Sequence, residues 1–260
     1  MTKQLGIDVS RYQGDINWDI VKSRGVEYAG IRVSISWAYV DNMAQTNIEQ
    51  AMSRGIPVLP YWVLYPNEDA QKQVEHYYNT LRKFGLDISK ANAVIDVELH
   101  AGAHACTAAK YQAALSNALV YSKTLTGKAP IIYSRASFID SYVTGRASSW
   151  TAKAPAWYGQ YYWWLAQYLS SGAEHPGPVK LPAGVDRSRC IIHQTTDKGN
   201  GAYYGVSSAS VDLNRWQMFT APGEWLEVGA AQPVQETVTL ESLSADIADL
   251  QRRMALLENC

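Results

Sequence analysis

Short apolar segments rich in β-branched and aromatic residues recur between Leu5 and Leu213. Segments of this length, bounded by polar or glycine-containing stretches, are typical of buried strands. The eight segments are Leu5–Val9, Ala29–Ser34, Ile56–Val63, Ala93–Leu99, Pro130–Tyr133, Trp163–Tyr168, Cys190–Gln194 and Ser210–Leu213. Eight such strands in succession predict a parallel β/α barrel. An open, doubly wound sheet is the alternative, but no glycine-rich phosphate-binding turn follows the first segment.

Segments with helical periodicity lie between the first six of these strands. They are Trp18–Arg24, Asn42–Arg54, Glu68–Phe84, Thr107–Leu125 and Ser137–Val143. The later connections differ, because residues 170–188 are rich in proline and glycine and residues 195–209 are rich in glycine. Both are predicted to be loops. The predicted fold class is therefore α/β, a TIM-like barrel with five β/α units followed by three strands that have no regular helices between them.

The chain changes character after Trp225. A barrel domain is predicted over residues 1–226, a linker over 227–237 and a C-terminal amphipathic or coiled-coil helix over 238–260. In the last segment, apolar residues alternate at spacings of three and four, as in a heptad repeat. They are Leu240, Leu243, Ile247, Leu250, Met254 and Leu257. We expect a homo-oligomer formed through residues 240–257. One amphipathic helix packed on its own barrel is the alternative.

Charge and hydropathy exclude several classes of protein. The 260 residues carry 23 Lys and Arg against 24 Asp and Glu, a formal net charge of −1, which argues against a nucleic-acid-binding protein. No apolar run approaches the roughly 20 residues of a membrane span, so membrane insertion is not expected. The first residues also lack the apolar stretch of a secretory signal, which predicts synthesis in the cytoplasm.

The aromatic residues are biased towards those with a polar group, with 9 Trp and 17 Tyr but only 3 Phe. Such rings can stack on the face of a sugar while their N–H or O–H groups bond to its hydroxyls. Most of them are expected to be ordinary core residues. The bias nevertheless favours a carbohydrate ligand.

Asp96 and Glu98 form the sharpest chemical signal in the chain. Residues two apart in a strand point to the same face, so these two carboxylates share one face while Ile95 and Val97 share the other. Barrel enzymes place their chemistry at the carboxyl ends of the strands. Two acids close together there raise the pKa of one of them, so that it stays protonated and can act as an acid. A salt-bridged structural pair is the alternative.

Asp8 and Asp212 are predicted to join this pair. Each alternates with apolar neighbours in its strand and therefore faces the barrel interior. Four carboxyl groups in one barrel mouth indicate glycosidic-bond chemistry, in which one acid protonates the leaving oxygen. A metal site is the other use of such acids. Arg32 has the inward parity of its strand and is expected to neutralise part of the cluster.

Several short motifs, in this order and at strand spacing, resemble the muramidases of glycoside hydrolase family 25, the Chalaropsis-type lysozymes common among phage endolysins. The resemblance extends from about Gly6 to Trp216. The motifs are GIDVSRYQGDINW at the start, DVE at Asp96–Glu98, IIYS at Ile131–Ser134, WLAQY at Trp164–Tyr168, HQTT at His193–Thr196 and VDLN at Val211–Asn214. The family has a flattened barrel of five β/α units plus three strands.

The resemblance implies hydrolysis, with retention, of the β-1,4 bond between N-acetylmuramic acid and N-acetylglucosamine in the peptidoglycan of the bacterial cell wall. It makes Glu98 the general acid and Asp96 its partner, with Asp8 and Asp212 as the other active-site acids. The sugar contacts implied by the family are Tyr61, Tyr133, Trp164, Gln167 and Tyr168. Arg32, placed by its strand parity, is expected to bind substrate with them. No cofactor is implied.

Other functions remain as alternatives at this point. The same cleft could hold glycan in a catalytically silent wall-binding or virion-associated protein. A chitinase-type barrel also carries an acidic pair on its fourth strand, but the longer acidic run of such enzymes is missing here. His100 and His104 lie four residues apart without a third ligand at suitable spacing, so no metal is expected.

Overall fold

A closed sheet of eight strands forms the centre of the computed structural model, which describes residues 4–98, 106–146, 149 and 151–217. A ninth, two-residue strand lies outside the closed ring. The strands are β1 (Leu5–Val9), β2 (Val26–Ile35), β3 (Tyr39–Val40), β4 (Val58–Val63), β5 (Val94–Asp96), β6 (Ile131–Ser134), β7 (Trp163–Ala166), β8 (Cys190–Asn200) and β9 (Ser210–Trp216).

The ring closes because β1 pairs with β2 on one side and with β9 on the other. From β1 to β8, the barrel strands run parallel to their neighbours. Strand β9 is antiparallel to both β8 and β1. Its amino-terminal half therefore lies at the end of the barrel where the parallel strands finish. This closure rules out the open-sheet alternative.

Helices follow each of the first five barrel strands, which confirms five β/α units followed by three strands. They are α1 (Trp18–Ser23), α2 (Ala44–Ser53), α3 (Ala70–Lys83), α4 (Ala108–Thr126) and the short α5 (Ala136–Phe138), which continues as a π-helical turn over Ile139–Val143. The side chain of Thr107 caps α4 by accepting from the backbone N–H of Lys110. The helix ends before Gly127, whose φ of 74° is the left-handed conformation that glycine adopts readily.

The predicted loop over residues 195–209 is wrong in its first part. Strand β8 continues to Asn200 and forms a hairpin with β9, leaving a connection over 201–209. Irregular register between Gln194 and Gly199 accommodates this extension. The composition of this polar segment is typical of a loop, and it becomes a strand only through its pairing with β9, which the sequence does not indicate. The short β3, which pairs with the end of β2, was likewise not predicted.

Two apolar layers lie on the two faces of the barrel sheet, as strand alternation requires. In β5, Val94 belongs to an inner cluster, whereas Ile95 belongs to the larger outer cluster shared with the helices. The inner cluster consists of Tyr28, Leu59, Val94, Ile131, Trp164, Ile191, Ile192 and Trp216. Because aromatic and branched side chains fill one part of the interior, polar side chains collect in the remaining space at the mouth.

The predicted linker over 227–237 and the heptad segment over 238–260 lie outside the described residues, as do His100 and His104. In the part of the chain that is described, no helix combines the length and the apolar character that crossing a membrane requires.

Candidate active site

A cavity of about 230 Å³ opens at the carboxyl ends of the parallel strands. All four predicted acids, Asp8, Asp96, Glu98 and Asp212, line it. The complete lining is Asp8, Val9, Ser10, Tyr12, Gln13, Arg32, Tyr61, Val94, Asp96, Glu98, Tyr133, Trp164 and Asp212. The alternation of each strand therefore delivers carboxyl groups from three distant parts of the sequence to one site.

Asp8 and Asp212 lie opposite each other on β1 and β9. Asp8 is almost fully buried, and its Oδ2 accepts hydrogen bonds from Asn214 Nδ2 at 2.7 Å and from Gln194 Nε2 at 2.7 Å. The same Gln194 nitrogen lies 3.1 Å from Asp212 Oδ2. Burial raises the pKa of Asp8 and outweighs these hydrogen bonds, which favour its charged form.

Burial and the adjacent charge of Asp8 raise the pKa of Asp212 to about 9. Asp212 therefore carries a proton at neutral pH and donates it to Asp8. This hydrogen bond itself raises the pKa of Asp212 and lowers that of Asp8. The two carboxyl groups thus share one proton, as expected for two acids that cannot both ionise at close range.

Asp96 is the last residue of β5 and is buried. Burial, followed by the nearby charges of Glu98 and Asp8, raises its pKa well above the ordinary value, and Arg32 opposes this shift. Its Oδ1 accepts no hydrogen bond from any described residue. Leaving a buried carboxyl oxygen without a hydrogen-bond donor costs folding free energy. A ligand that donates a hydrogen bond to Asp96 Oδ1 would recover this cost.

Glu98 follows β5 by two residues, and the segment that carries it is fixed to β6. The backbone N–H of Val97 donates to Tyr133 O at 2.9 Å, and Ser134 Oγ donates to Val97 O at 2.5 Å. Burial raises the pKa of Glu98, Asp8 raises it further, and the guanidinium of Arg135 partly offsets both effects. A glutamate with a raised pKa retains a proton at higher pH than an exposed one, which suits a general acid.

Arg32 lines the cavity, but its direct partner is Asp41. The guanidinium Nη2 lies 2.8 Å from Asp41 Oδ2, and both side chains are buried. Its charge reaches the acid cluster only at longer range, through its effect on the pKa of Asp96. The predicted neutralisation is therefore indirect, and Arg32 is held in place by an acid that the sequence reasoning did not consider.

The five predicted sugar contacts divide into two groups. Tyr61, Tyr133 and Trp164 line the cavity, whereas Gln167 and Tyr168 are not part of its lining. The Gln167 side chain accepts from Lys180 N at 2.6 Å and lies 3.0 Å from His175 Nε2, so it orders the following loop. The Tyr168 hydroxyl donates to Gln194 Oε1, behind the acid pair.

Two buried amides, Gln194 and Asn214, are part of the site and were missed by the sequence reasoning. Asn214 donates to Asp8 and accepts from Trp164 Nε1 at 2.8 Å, linking an acid to an aromatic wall of the cavity. Its signal was available, because Asn214 lies two residues after Asp212 and has the same parity. At the rim, Ser10, Tyr12 and Gln13 were also not predicted.

Metal binding finds no support in the residues that the structure describes. Among them, no group of three or more His, Cys, Asp or Glu side chains is arranged to hold a metal ion. Burial raises the pKa of all four acids, and the amides of Gln194 and Asn214 donate to the Asp8–Asp212 pair.

A closed barrel that collects protonatable acids at the carboxyl ends of its parallel strands defines the class of β/α-barrel proteins with an acidic site at the mouth. Within that class, the chain belongs to the glycosyl hydrolases family 25, whose model matches residues 7–202. The matched region contains Asp8, Asp96 and Glu98. Asp212 lies beyond it and is placed in the site by the β1–β9 pairing.

Two curated relatives are lysozymes. The chain is 28% identical to Lysozyme M1 of Streptomyces globisporus over 156 residues, which are 58% of this chain and 53% of the relative. It is 32% identical to the autolytic lysozyme of Clostridium acetobutylicum over 97 residues, which are 37% of this chain and 29% of the relative. The chain thus spans little more than half the length of the first curated relatives that it matches.

Solved structures show the same fold. The bacterial lysozyme of Streptomyces coelicolor is 25% identical, with a TM-score of 0.65 over 87% of this chain and 96% of that one. The family GH25 lysozyme of Aspergillus fumigatus is 18% identical, with a TM-score of 0.67 over 88% and 100% of the two chains. The catalytic domain of endolysin ply40 from a Listeria monocytogenes bacteriophage is 18% identical, with a TM-score of 0.60 over 84% and 94%.

Proposed function

We propose that this chain is an N-acetylmuramidase that cleaves the β-1,4 bond between N-acetylmuramic acid and N-acetylglucosamine in peptidoglycan, with retention of configuration. The observation that carries the proposal is the meeting of four carboxyl groups, all with raised pKa, in one cavity of a family 25 barrel. Glycoside hydrolysis needs an acid for the leaving oxygen and a second carboxyl for the developing positive charge.

Glu98 is the general acid in this proposal. Its raised pKa lets it keep a proton to higher pH than an exposed glutamate does, and its place on the cavity wall gives access to a bridging sugar oxygen. Asp96 assists it, either by holding the 2-acetamido group of the substrate or by stabilising oxocarbenium-like charge. The unpartnered Oδ1 of Asp96 is suited to accept an amide N–H, which supports the first of these roles.

The remaining lining supplies binding. Asp8 and Asp212 present carboxyl oxygens to sugar hydroxyls, and the partly exposed ring of Tyr61 is an apolar surface against which a sugar ring can stack. The buried Trp164 completes the aromatic part of the lining. The aromatic walls are held rigidly, since Trp164 is buried and its ring meets Tyr133 edge-on at a centroid distance of 5.4 Å. A fixed wall orients the scissile bond against the acids without further ordering cost.

Mass spectrometry of digested peptidoglycan tests the proposal, because the sugar at the new reducing end identifies the cleaved bond. We expect N-acetylmuramic acid at that end. Glu98→Gln should bind glycan while losing about 10²–10⁴ of the hydrolytic rate. Release of no new reducing ends by the wild-type protein would favour the catalytically silent alternative, and preferential cleavage of chitin would favour the chitinase alternative.

The place of action in this proposal is the bacterial cell wall, which contains the proposed substrate. The heptad pattern over residues 240–257 is proposed to join several barrels, so that more than one site engages the same polymer and avidity increases.

A further inference from the structure

The side-chain amide of Gln194 lies at the centre of the hydrogen-bond network behind the cavity. Its nitrogen lies 2.7 Å from Asp8 Oδ2 and 3.1 Å from Asp212 Oδ2. Its oxygen accepts from the hydroxyl of Tyr133 at 2.6 Å and from the hydroxyl of Tyr168. Gln194 is only 1% exposed and is not part of the cavity lining. It therefore acts on the site through other residues.

This network fixes the orientation of the amide. A primary amide has two N–H donors and two acceptor sites on its oxygen, and Gln194 uses all four. The reverse orientation would remove the two N–H donors from the carboxyl oxygens of Asp8 and Asp212 and would place the amide nitrogen against the hydroxyls of Tyr133 and Tyr168. Few side chains can replace it, because glutamate has the same length but fewer donors, and methionine has a similar volume but neither donors nor strong acceptors.

The orientation of Gln194 sets the orientation of the two tyrosine hydroxyls. Each directs its proton to Gln194 Oε1. The Tyr168 oxygen also has Arg135 as a hydrogen-bond partner, whereas the Tyr133 oxygen keeps its lone pairs for other donors. Burial raises the pKa of both phenols, so they remain protonated and keep this polarity. Tyr133, which lines the cavity, is consequently arranged to accept a hydrogen bond from a sugar hydroxyl rather than to donate one.

We propose that Gln194 is a positioning residue that sets the separation of Asp8 and Asp212 and couples this acid pair to the Tyr133 wall of the cavity. The inference rests on the proposed function and deepens it. One buried amide connects β8, which carries it, with β1, β9 and β6 and with Tyr168 beyond β7. These hydrogen bonds hold the acid pair and Tyr133 in alignment, and a misplacement of about 1 Å in an active site can lower the rate about 10²-fold.

Gln194→Glu gives a test with a distinctive pH dependence. The protonated glutamic acid still has one donor and an acceptor oxygen, so it reproduces part of the network. The ionised form has no donor and adds a charge beside Asp8. We expect kcat of the variant to lie within about tenfold of wild type at pH 5 and to fall about 10²-fold below it at pH 8, with a smaller change in KM.

Gln194→Met removes all four hydrogen bonds at similar volume. Its kcat should be about 10²-fold lower at both pH values, because no ionisable group is introduced. Asn47→Asp is the matched control. Asn47 is also a buried amide, but it lies on α2 and accepts from Trp18 Nε1 at 3.3 Å, outside the cavity. It should lower the melting temperature without changing the pH dependence of kcat.

Two outcomes overturn the inference: a Gln194→Glu variant with the kcat of wild type at every pH, or a ratio to wild type that does not depend on pH, as for the control. Failure of the proposed function is recognised separately, since the wild-type protein itself would then release no muramic-acid ends. In that event, the role of Gln194 is tested without an activity assay, by ¹³C NMR titration of the carboxyl groups. The titration midpoints of the Asp8 and Asp212 carboxyl groups must differ between wild type and Gln194→Met. Unchanged titration midpoints would refute the positioning role of Gln194.

Discussion

Asp8 and Asp212 face each other across the antiparallel β1–β9 pair and share one proton, with Gln194 donating to both carboxyl groups. The pair arises from the point where the barrel closes. Had β9 run parallel to β1, Asp212, which lies near the start of its strand, would be at the opposite end of the barrel. A slip of the register by one residue would turn Asp212 to the outer face. The direction of the last strand is therefore a condition for the acidic site and not only for the fold.

The first prediction concerns the stability of the protein as a function of pH. Asp212 has a folded-state pKa of about 9 against an ordinary value of 3.8, so the folded chain binds its proton more tightly than the unfolded chain does. Between these values the free energy of unfolding must fall as the pH rises, by at most about 1.4 kcal/mol per pH unit for one proton. Urea unfolding at pH 5, 7 and 9 measures this slope.

Asp212→Asn should make the slope shallower, because its side chain cannot ionise and can still donate to Asp8. The control is Asp186→Asn, an exposed acid whose pKa is lowered by hydrogen bonds from Ser188, so that it is ionised in both states above pH 5. It should leave the slope unchanged. A stability that rises from pH 5 to pH 9, or an equal slope in Asp212→Asn, would contradict the prediction.

The second prediction concerns the proton on Glu98. The Arg135 guanidinium lies over the ring of Tyr168 at 4.6 Å and holds the pKa of Glu98 below the value that burial alone would give. Arg135→Gln should therefore raise the pKa of Glu98. Because the proposed acid would stay protonated to higher pH, the alkaline limb of the kcat/KM profile should move to higher pH.

Arg189→Gln is the matched control for this experiment. Arg189 lies over the ring of Tyr162 at 5.2 Å, a similar cation–aromatic contact, but neither residue lines the cavity. Its pH profile should coincide with that of wild type. If the alkaline limb stays fixed in Arg135→Gln or moves to lower pH, either the electrostatic argument or the role of Glu98 is wrong.

The acids of the site were predictable because strand alternation is a local property. Asp96 and Glu98 lie two residues apart, and Asp8 and Asp212 alternate with apolar neighbours, so parity alone sends all four inward. The barrel itself followed from the order of apolar segments. The boundary errors occur where pairing is non-local, as in β8, whose polar continuation becomes a strand only because β9 folds back on it.

The hydrogen-bond and salt-bridge partners of the inward-facing side chains were not predictable in the same way. Arg32 has inward parity and lines the cavity, but nothing in the sequence indicates that Asp41 rather than an active-site acid would bind its guanidinium. Gln194 belongs to a motif, yet its four contacts come from strands far apart in the chain. A sequence pattern can give the direction of a side chain, whereas hydrogen-bond partners depend on distances fixed by the closed barrel.

The third prediction concerns self-association through the heptad segment. Each buried seam residue contributes about 1.5–3 kcal/mol, against an association cost of about 4–15 kcal/mol, so oligomers of so short a seam should depend on concentration. Light scattering of the full chain should show this dependence, and a chain ending at Thr237 should remain monomeric. Ile247→Glu should abolish association, whereas Ala245→Glu, outside the predicted seam, should preserve it. The same oligomeric state for all four proteins, independent of concentration, would refute the prediction.

The fourth prediction concerns the close approach of β2 to the acid site. Gly30 pairs with Asp8 in the parallel β1–β2 register. A Cβ at this position would lie 2.8 Å from Asp8 Cβ and would overlap the six-membered ring of Trp164. Gly30→Ala must therefore displace an acid or an aromatic wall of the cavity. Overpacking of this kind costs about 1–3 kcal/mol of folding free energy, and the displacement should lower kcat/KM by about tenfold or more.

Gly159→Ala is the control, because a Cβ there would have its nearest neighbour at 3.9 Å, which is ordinary contact. Urea unfolding and kcat/KM should both match wild type in this variant. For Gly30→Ala, the loss of folding free energy is compared with the loss of kcat/KM, and kcat/KM is measured at a temperature where the variant remains fully folded. A stability loss with unchanged kcat/KM would mean that the backbone of β2 absorbs the overlap. The positions of Asp8 and Trp164 would then not depend on the absence of a side chain at residue 30.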